Sequence, residues 1–228
     1  SMLPDAERAR LLRRQASARQ ALGLLDGTLA ALKAAEALVP GALSDQLWLG
    51  ETAFAQGDME TAYAQLAPLP RFASEMDSLP SPLTVTRLAD LIDQAGQAAA
   101  ALHKPDEARS LWQVALQIIP DHAAATNHYL DLLLTAGQSQ DAEQALAMLT
   151  TRASQALAAG DQASARRDTR KAAALAGGPL GDNLKAQELL RQVLAMLPPL
   201  SEQSDAALRD EWTTLLSQVY ENAEKLGE

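Results

Sequence analysis

Few side chains in this sequence can do chemistry, and their spacing narrows what that chemistry could be. Histidine occurs only at His103, His122 and His128, and cysteine is absent. A metal site or a nucleophile–base pair must therefore be assembled from imidazole and carboxylate. His128 and Asp131 are at i, i+3, on one face of a helix, which suits two metal ligands. A site needs a third and a fourth, and no second pair accompanies them. Asp90 and Asp93 share the same spacing and could act as an acid–base pair, although solvated surface acids on helices are spaced the same way. The run Gly177-Gly178-Pro179-Leu180-Gly181 lacks the Gly-Lys-Ser/Thr ending and the preceding strand of a phosphate loop, and it reads as a linker or helix C-cap. No catalytic residue, metal or cofactor is assigned, and the expected activity is non-enzymatic. An enzyme is kept as a rival class, because fold does not fix function.

The elements that must position these residues are helices. Hydrophobic residues make up 47% of the 228-residue chain and aromatics only 4%, with Ala and Leu dominating. That composition builds close helix contacts, and long period-two runs of β-branched residues are missing. No strands are predicted. The length suffices for one or two domains with an ordinary hydrophobic core. A formal net charge of −10 disfavours general binding to nucleic acid. Two basic clusters, at Arg8, Arg10, Arg13 and Arg14 and at Arg166, Arg167, Arg170 and Lys171, read as solvated helix faces, with a docking patch for an acidic partner as the alternative. No run is long enough to span a bilayer. The charged start without an apolar stretch makes cytoplasm the default compartment, while Ser1-Met2 has the look of a cloning remnant and leaves an upstream signal or anchor open.

An internal period organises the chain. Gly23, Gly57, His103 and Gly137 occupy equivalent helix-to-helix turns, spaced 34, 46 and 34 residues apart. The longer interval contains the irregular stretch 68–82 with Pro68, Pro70, Pro80 and Pro82, which is expected to be non-helical or only briefly helical. Small and large residues recur in phase with the period. Leu49-Gly50, Ala62 and Leu66 mark the second unit, and Ala95-Gly96, Ala108, Trp112 and Pro120 the third. Thr28, Leu32 and Pro40 mark the first unit, and Tyr129, Ala142 and Leu146 the fourth. Over residues 7–150 this pattern resembles the tetratricopeptide repeat family. Departures exist: Gln46 stands at the family's tryptophan position, and Trp48 lies two residues on.

The resemblance implies an all-α, right-handed superhelical solenoid of antiparallel helix hairpins. Its expected divisions are hairpins 1 and 2 over 3–67, the Pro-rich insertion 68–82, hairpins 3 and 4 over 83–159, and diverged helices with a capping helix over 160–228, all in one continuous solenoid. In the last part helices are expected over 139–159, 161–175, 182–197 and 201–226, with Pro198-Pro199 before the final one. Leu208, Trp212, Leu215, Leu216 and Val219 form its apolar stripe. Gly160-Asp161 looks like another hairpin turn but comes too soon for a full repeat. Asp121 is the expected N-cap of the fourth unit.

The resemblance also implies where a partner would bind. In this family the first helix of each hairpin lines a concave surface. The matching positions here are Leu47, Trp48, Glu51 and Phe54 in the second unit, Asp90, Asp93, Gln94 and Gln97 in the third, and Asn127, His128, Asp131 and Leu134 in the fourth. Phe54 is read as core; for Trp48, core and ligand face stay open. The family's carboxylate-clamping members present Lys, Arg and Asn at such positions. Acids here instead imply a neutral or basic peptide or protein segment. The expected function is a protein-interaction adaptor. The alternative is a self-assembling module that forms homo-oligomers by burying the Trp212, Leu215 and Val219 stripe against a second copy.

Overall fold

Alanine and leucine at helical spacing give helices almost throughout. The structure, a computed structural model, describes residues 3–136, 139–197 and 206–226. Among these the chain forms α1 (Asp5–Ala21), α2 (Leu25–Leu38), α3 (Leu43–Ala55), α4 (Met59–Leu66), α5 (Val85–Ala101), α6 (Pro105–Ile118), α7 (Ala123–Ala136), α8 (Ser139–Ala158), α9 (Gln162–Gly177), α10 (Asn183–Ala195) and α11 (Ala206–Leu226), with no strand. Gly137, Pro198-Pro199 and Ser201 lie outside the described residues, as do the side chains of Leu208 and Trp212.

The periodic turns are alike in geometry. Gly23, Gly57 and His103 all adopt left-handed backbone, with φ of 72°, 77° and 57°. The following amide reaches back to close each helix: Leu24 N–H donates to the Arg19 carbonyl (2.9 Å), Asp58 N–H to Ala53 (2.9 Å) and Lys104 N–H to Ala99 (3.0 Å). Gly160 repeats the pattern, with φ 80° and Asp161 N–H on the Ala156 carbonyl at 2.8 Å. The turn that falls off the 34-residue spacing is thus the same device. Glycine occupies three of the four because a Cβ is disfavoured at positive φ; His103 tolerates the conformation without that freedom. Asp58, Asp161 and Asp182 then cap the next helix, accepting from Thr61 N–H (3.2 Å), Ser164 N–H (3.0 Å) and Lys185 N–H (2.9 Å). Proline ends helices as its chemistry requires: Val39 (φ −147°, ψ 110°) before Pro40 and Ile119 (φ −133°, ψ 99°) before Pro120 are both extended.

The chain divides into two compact units, Ser1–Tyr129 and Leu130–Glu228, with the division inside α7. In the first, α1/α2, α3/α4 and α5/α6 are packed hairpins, and α2 abuts α3 as α4 abuts α5. Its core includes Ala16, Leu32, Leu49, Ala53, Ala62 and Ala98, with Trp48, Phe54, Met59 and Tyr63 packed against it. Helices approach closely where the sequence supplies glycine. A Cβ at Gly50 would lie 2.6 Å from Leu66 Cδ2, and one at Gly96 would lie 2.5 Å from Trp112 Nε1. These are the small–large pairs of the second and third periods. The Pro-rich stretch holds only short 3-10 turns, Leu69–Ser74 and Met76–Ser78. The first packs on α5 and α6, with Leu69 fully buried, so twelve extra residues fit without parting α4 from α5. In the second unit α9 packs between α8 and α10, and α10 meets α11. Leu215 of α11 is fully buried, and Leu216 and Val219 are half-buried.

Candidate functional site

The first helices of the second, third and fourth periods are α3, α5 and α7. Side-chain bonds between them line up along the α5 surface. At its N-terminal end, where Thr84 caps the helix by accepting from Arg87 N–H at 3.2 Å, Arg87 crosses to α3 and bonds Glu51 at 2.9 Å. One turn further, Asp90 accepts from His122 Nε2–H at 2.8 Å. Asp93, one turn further again, receives His128 Nδ1 at 2.8 Å and the Gln97 amide at 3.0 Å. Residues at i, i+3 and i+6 on α5 thus reach one neighbouring helix and then the other.

His122 serves two elements. Its Nδ1 accepts the Ala125 N–H at 3.1 Å and so caps α7, the role expected of Asp121. With Nδ1 accepting, the ring proton sits on Nε2, directed at Asp90. Asp121 is exposed. The imidazole wins because it can satisfy the helix N-terminus and the Asp90 carboxylate together. His128 stacks on Trp112, ring centroids 5.9 Å apart at 30°, and Trp112 lies over Gly96. The absent Cβ at Gly96 therefore sets the height of the aromatic platform under His128.

Several expected partner-facing residues have other duties. Leu47 is fully buried and belongs to the core, since the register of α3 turns it inward. Asp93 is only 4% exposed, and both its oxygens accept bonds from within the chain. A carboxylate so enclosed is a structural acceptor and gives little field to a ligand. Glu51 is half-buried and neutralised by Arg87, a cation missing from the expected set because α5 begins a turn earlier than the family positions were placed. Trp48 and Phe54 are half-buried against the core. Gln94, Gln97 and His128 are half-buried, and Asp90, Asn127, Asp131 and Leu134 are exposed. Trp48 Nε1 and Gln94 Oε1 have no hydrogen-bond partner among the described residues. Asp131 lies beyond the division inside α7. His128 turns Nδ1 to Asp93 on the neighbouring helix, not to Asp131 on its own.

A second network links the second helices α4 and α6. The Tyr63 hydroxyl donates to Glu107, and Lys104 lies 4.3 Å from the Tyr63 ring centroid and 3.3 Å from the Glu107 carboxylate. The bond to Glu107, aided by burial, pushes the Tyr63 phenol up to about 12, and the same bond holds the Glu107 carboxyl below its ordinary value. At the N-cap of α4, Asp58 is bonded by Lys33 of α2, which lowers its carboxyl. Neither contact was foreseen from sequence, because each joins residues of different hairpins or helices whose facing register is a tertiary property.

No helix among the described residues is long and apolar enough to cross a membrane. No family model matches the chain, and no curated protein matches it. Solved structures do. Nearly identical TPR-like repeats from a Podosopora anserina protein described as a kinesin light chain superpose with a TM-score of 0.50 at 17% identity, over 86% of this chain and 97% of theirs. YrrB, described as a TPR protein with an unusual peptide-binding site, superposes with a TM-score of 0.52 at 14% identity, over 89% of this chain and 90% of its own. With the period, the left-handed turns and the small–large helix contacts, these likenesses establish the fold: this is an all-α chain of tetratricopeptide-type helix hairpins.

Proposed function

We propose that the chain is a protein-interaction scaffold that holds a neutral or basic segment against the face made by α3, α5 and α7. The observation that carries this reading is the bonding of three successive first helices by Glu51–Arg87, Asp90–His122 and Asp93–His128. A face fixed in this way loses little entropy on binding. It offers a half-exposed indole at Trp48, an amide at Gln94 and an exposed carboxylate at Asp90. An amide side chain suits an extended backbone, and the carboxylate favours Lys or Arg over acids.

The test uses a fluorescein-labelled Lys-containing peptide and anisotropy at low salt. Reversing Asp90→Lys is expected to weaken binding up to about fivefold, since an exposed pair contributes only about 0–1 kcal/mol. Glu143→Lys with Glu188→Lys should leave it unchanged. Equal losses from the Asp90 variant and the control variant, or indifference to salt, would sink the reading.

A further inference from the structure

The second unit carries a feature that the first-helix face does not absorb. Helices α9, α10 and α11 enclose a cleft of about 760 Å³, lined by Arg166, Arg167, Arg170 and Lys171 of α9, Leu190 of α10 and Glu221 of α11. Ala173 and Ala174 form part of its floor. In a chain of net charge −10, Arg166, Arg167 and Lys171 stand together in one concavity beside Arg170, which is itself engaged within the chain, and this is a local reversal of sign. The spacing builds it: Arg166 and Arg170, and Arg167 and Lys171, are i, i+4 pairs in adjacent columns of one helix, an arrangement of like charges that works against the helix itself.

The intramolecular counter-charge is limited in reach. Asp168, beside the Arg167/Lys171 column, is buried and held by Arg152 at 3.1 Å, with Arg167 more distant at 3.8 Å. Arg167 also donates to Ser164 Oγ at 3.2 Å, a neutral acceptor. Arg166 Nε is buried with no hydrogen-bond partner among the described residues. A desolvated guanidinium nitrogen without an acceptor is costly, and a carboxylate entering the cleft would satisfy it.

We propose that this cleft is a second docking site, whose occupant is an acidic amphipathic segment of another protein. The cations call for carboxylates, and the apolar floor of Ala173, Ala174 and Leu190 calls for small apolar side chains between them. A free phosphate would use the charges and leave that floor uncovered. A nucleic acid would need cations spread along a path, whereas these stand on a little over one helical turn.

The experiment titrates the whole chain into a fluorescein-labelled peptide of Glu, Leu and Ala at low salt, and separately into the same peptide with Lys for Glu and into a labelled single-stranded oligonucleotide. The acidic peptide should bind, and the double variant Arg167→Glu/Lys171→Glu should weaken it by about tenfold or more. Raising salt from about 50 to about 300 mM should weaken it comparably. Lys185→Glu, outside the lining, should change nothing. If the reversed pair melts early, the neutral pair Arg167→Gln/Lys171→Gln gives the same reading with a smaller loss. Binding untouched by either pair, loss shared by Lys185→Glu, or preference for the oligonucleotide or for added inorganic phosphate overturns the proposal. The Asp90→Lys variant leaves this peptide's affinity unchanged, so the two docking readings fail separately.

Discussion

Charged groups on α5 and on α9 are arranged in opposite ways. On α5, Arg87, Asp90 and Asp93 each bond a residue of a neighbouring first helix at 2.8–2.9 Å. On α9, Arg166, Arg167, Arg170 and Lys171 stack like with like, and the only acid among the described lining across from them is Glu221. Opposite charges paired across helices act as clamps between repeats. Like charges gathered on one helix repel one another, and Arg167 comes no nearer to the buried Asp168 than 3.8 Å.

The comparison breaks first at the platform beneath the α5 clamps. Gly96→Leu places atoms where Trp112 Nε1 already sits, a Cβ alone coming within 2.5 Å, and should cost about 3 kcal/mol in urea unfolding. Trp112 and His128 would be pushed apart, so tryptophan emission should shift even before denaturant is added. Loss below about 1 kcal/mol would mean that the α5–α6 approach is loose.

Removing a clamp is the next largest effect. Asp93→Ala strips His128 and Gln97 of their shared acceptor and should cost about 2 kcal/mol by the same measurement, because the two donors are half-buried and water replaces only part of what is lost. Asp93→Asn separates charge from hydrogen bonding: it keeps an acceptor oxygen for one of the two donors.

A third test reads the Tyr63–Glu107 bond between α4 and α6. Tyrosine in the unfolded chain ionises near 10.0, and Tyr63 in the fold at about 12. The unfolded state therefore releases this proton first. The stabilisation is complete below pH 10 and is lost as pH climbs toward 12. Absorbance titration should show one tyrosine ionising late, and Glu107→Gln should bring it back toward its ordinary value.

The smallest effect belongs to α9. Lys171→Ala removes one of the stacked cations and should change stability by no more than about 0.5 kcal/mol, in either direction. A cost comparable to that of Asp93→Ala would show Lys171 to be a clamp as well, and would erase the contrast between the two helices.

Much of the architecture was legible in residue order. The spacing of 34 and then 46 residues found the Gly23, Gly57 and His103 turns, and left-handed backbone at all three confirms their equivalence. Pro40 and Pro120 end helices because ring geometry acts on the immediate neighbour. Gly50 with Leu66 and Gly96 with Trp112 announce close helix contacts because size complementarity is written in residue type. All of these are local rules, or rules of period, and need no knowledge of the third dimension. Gly160-Asp161 reads as a hairpin turn that comes too soon for a full repeat, and its closing hydrogen bond is the same as at the other turns.

The candidate site was less legible. The sequence put acids on successive first helices, and they are there; whether each is free or spent depends on what the neighbouring helix brings opposite it. Arg87 opposite Glu51, His122 opposite Asp90 and His128 opposite Asp93 are separated in sequence by 36, 32 and 35 residues. A shift of one residue in helix register turns a side chain by about 100°, enough to undo such a pair. Leu47 illustrates the same point, entering the core while Trp48 beside it stays half-exposed. Residue type and period determined that the chain is a stack of helix hairpins. Only the rotation of each helix about its own axis, fixed by packing between neighbouring helices, decided which charges bind each other and which stay exposed.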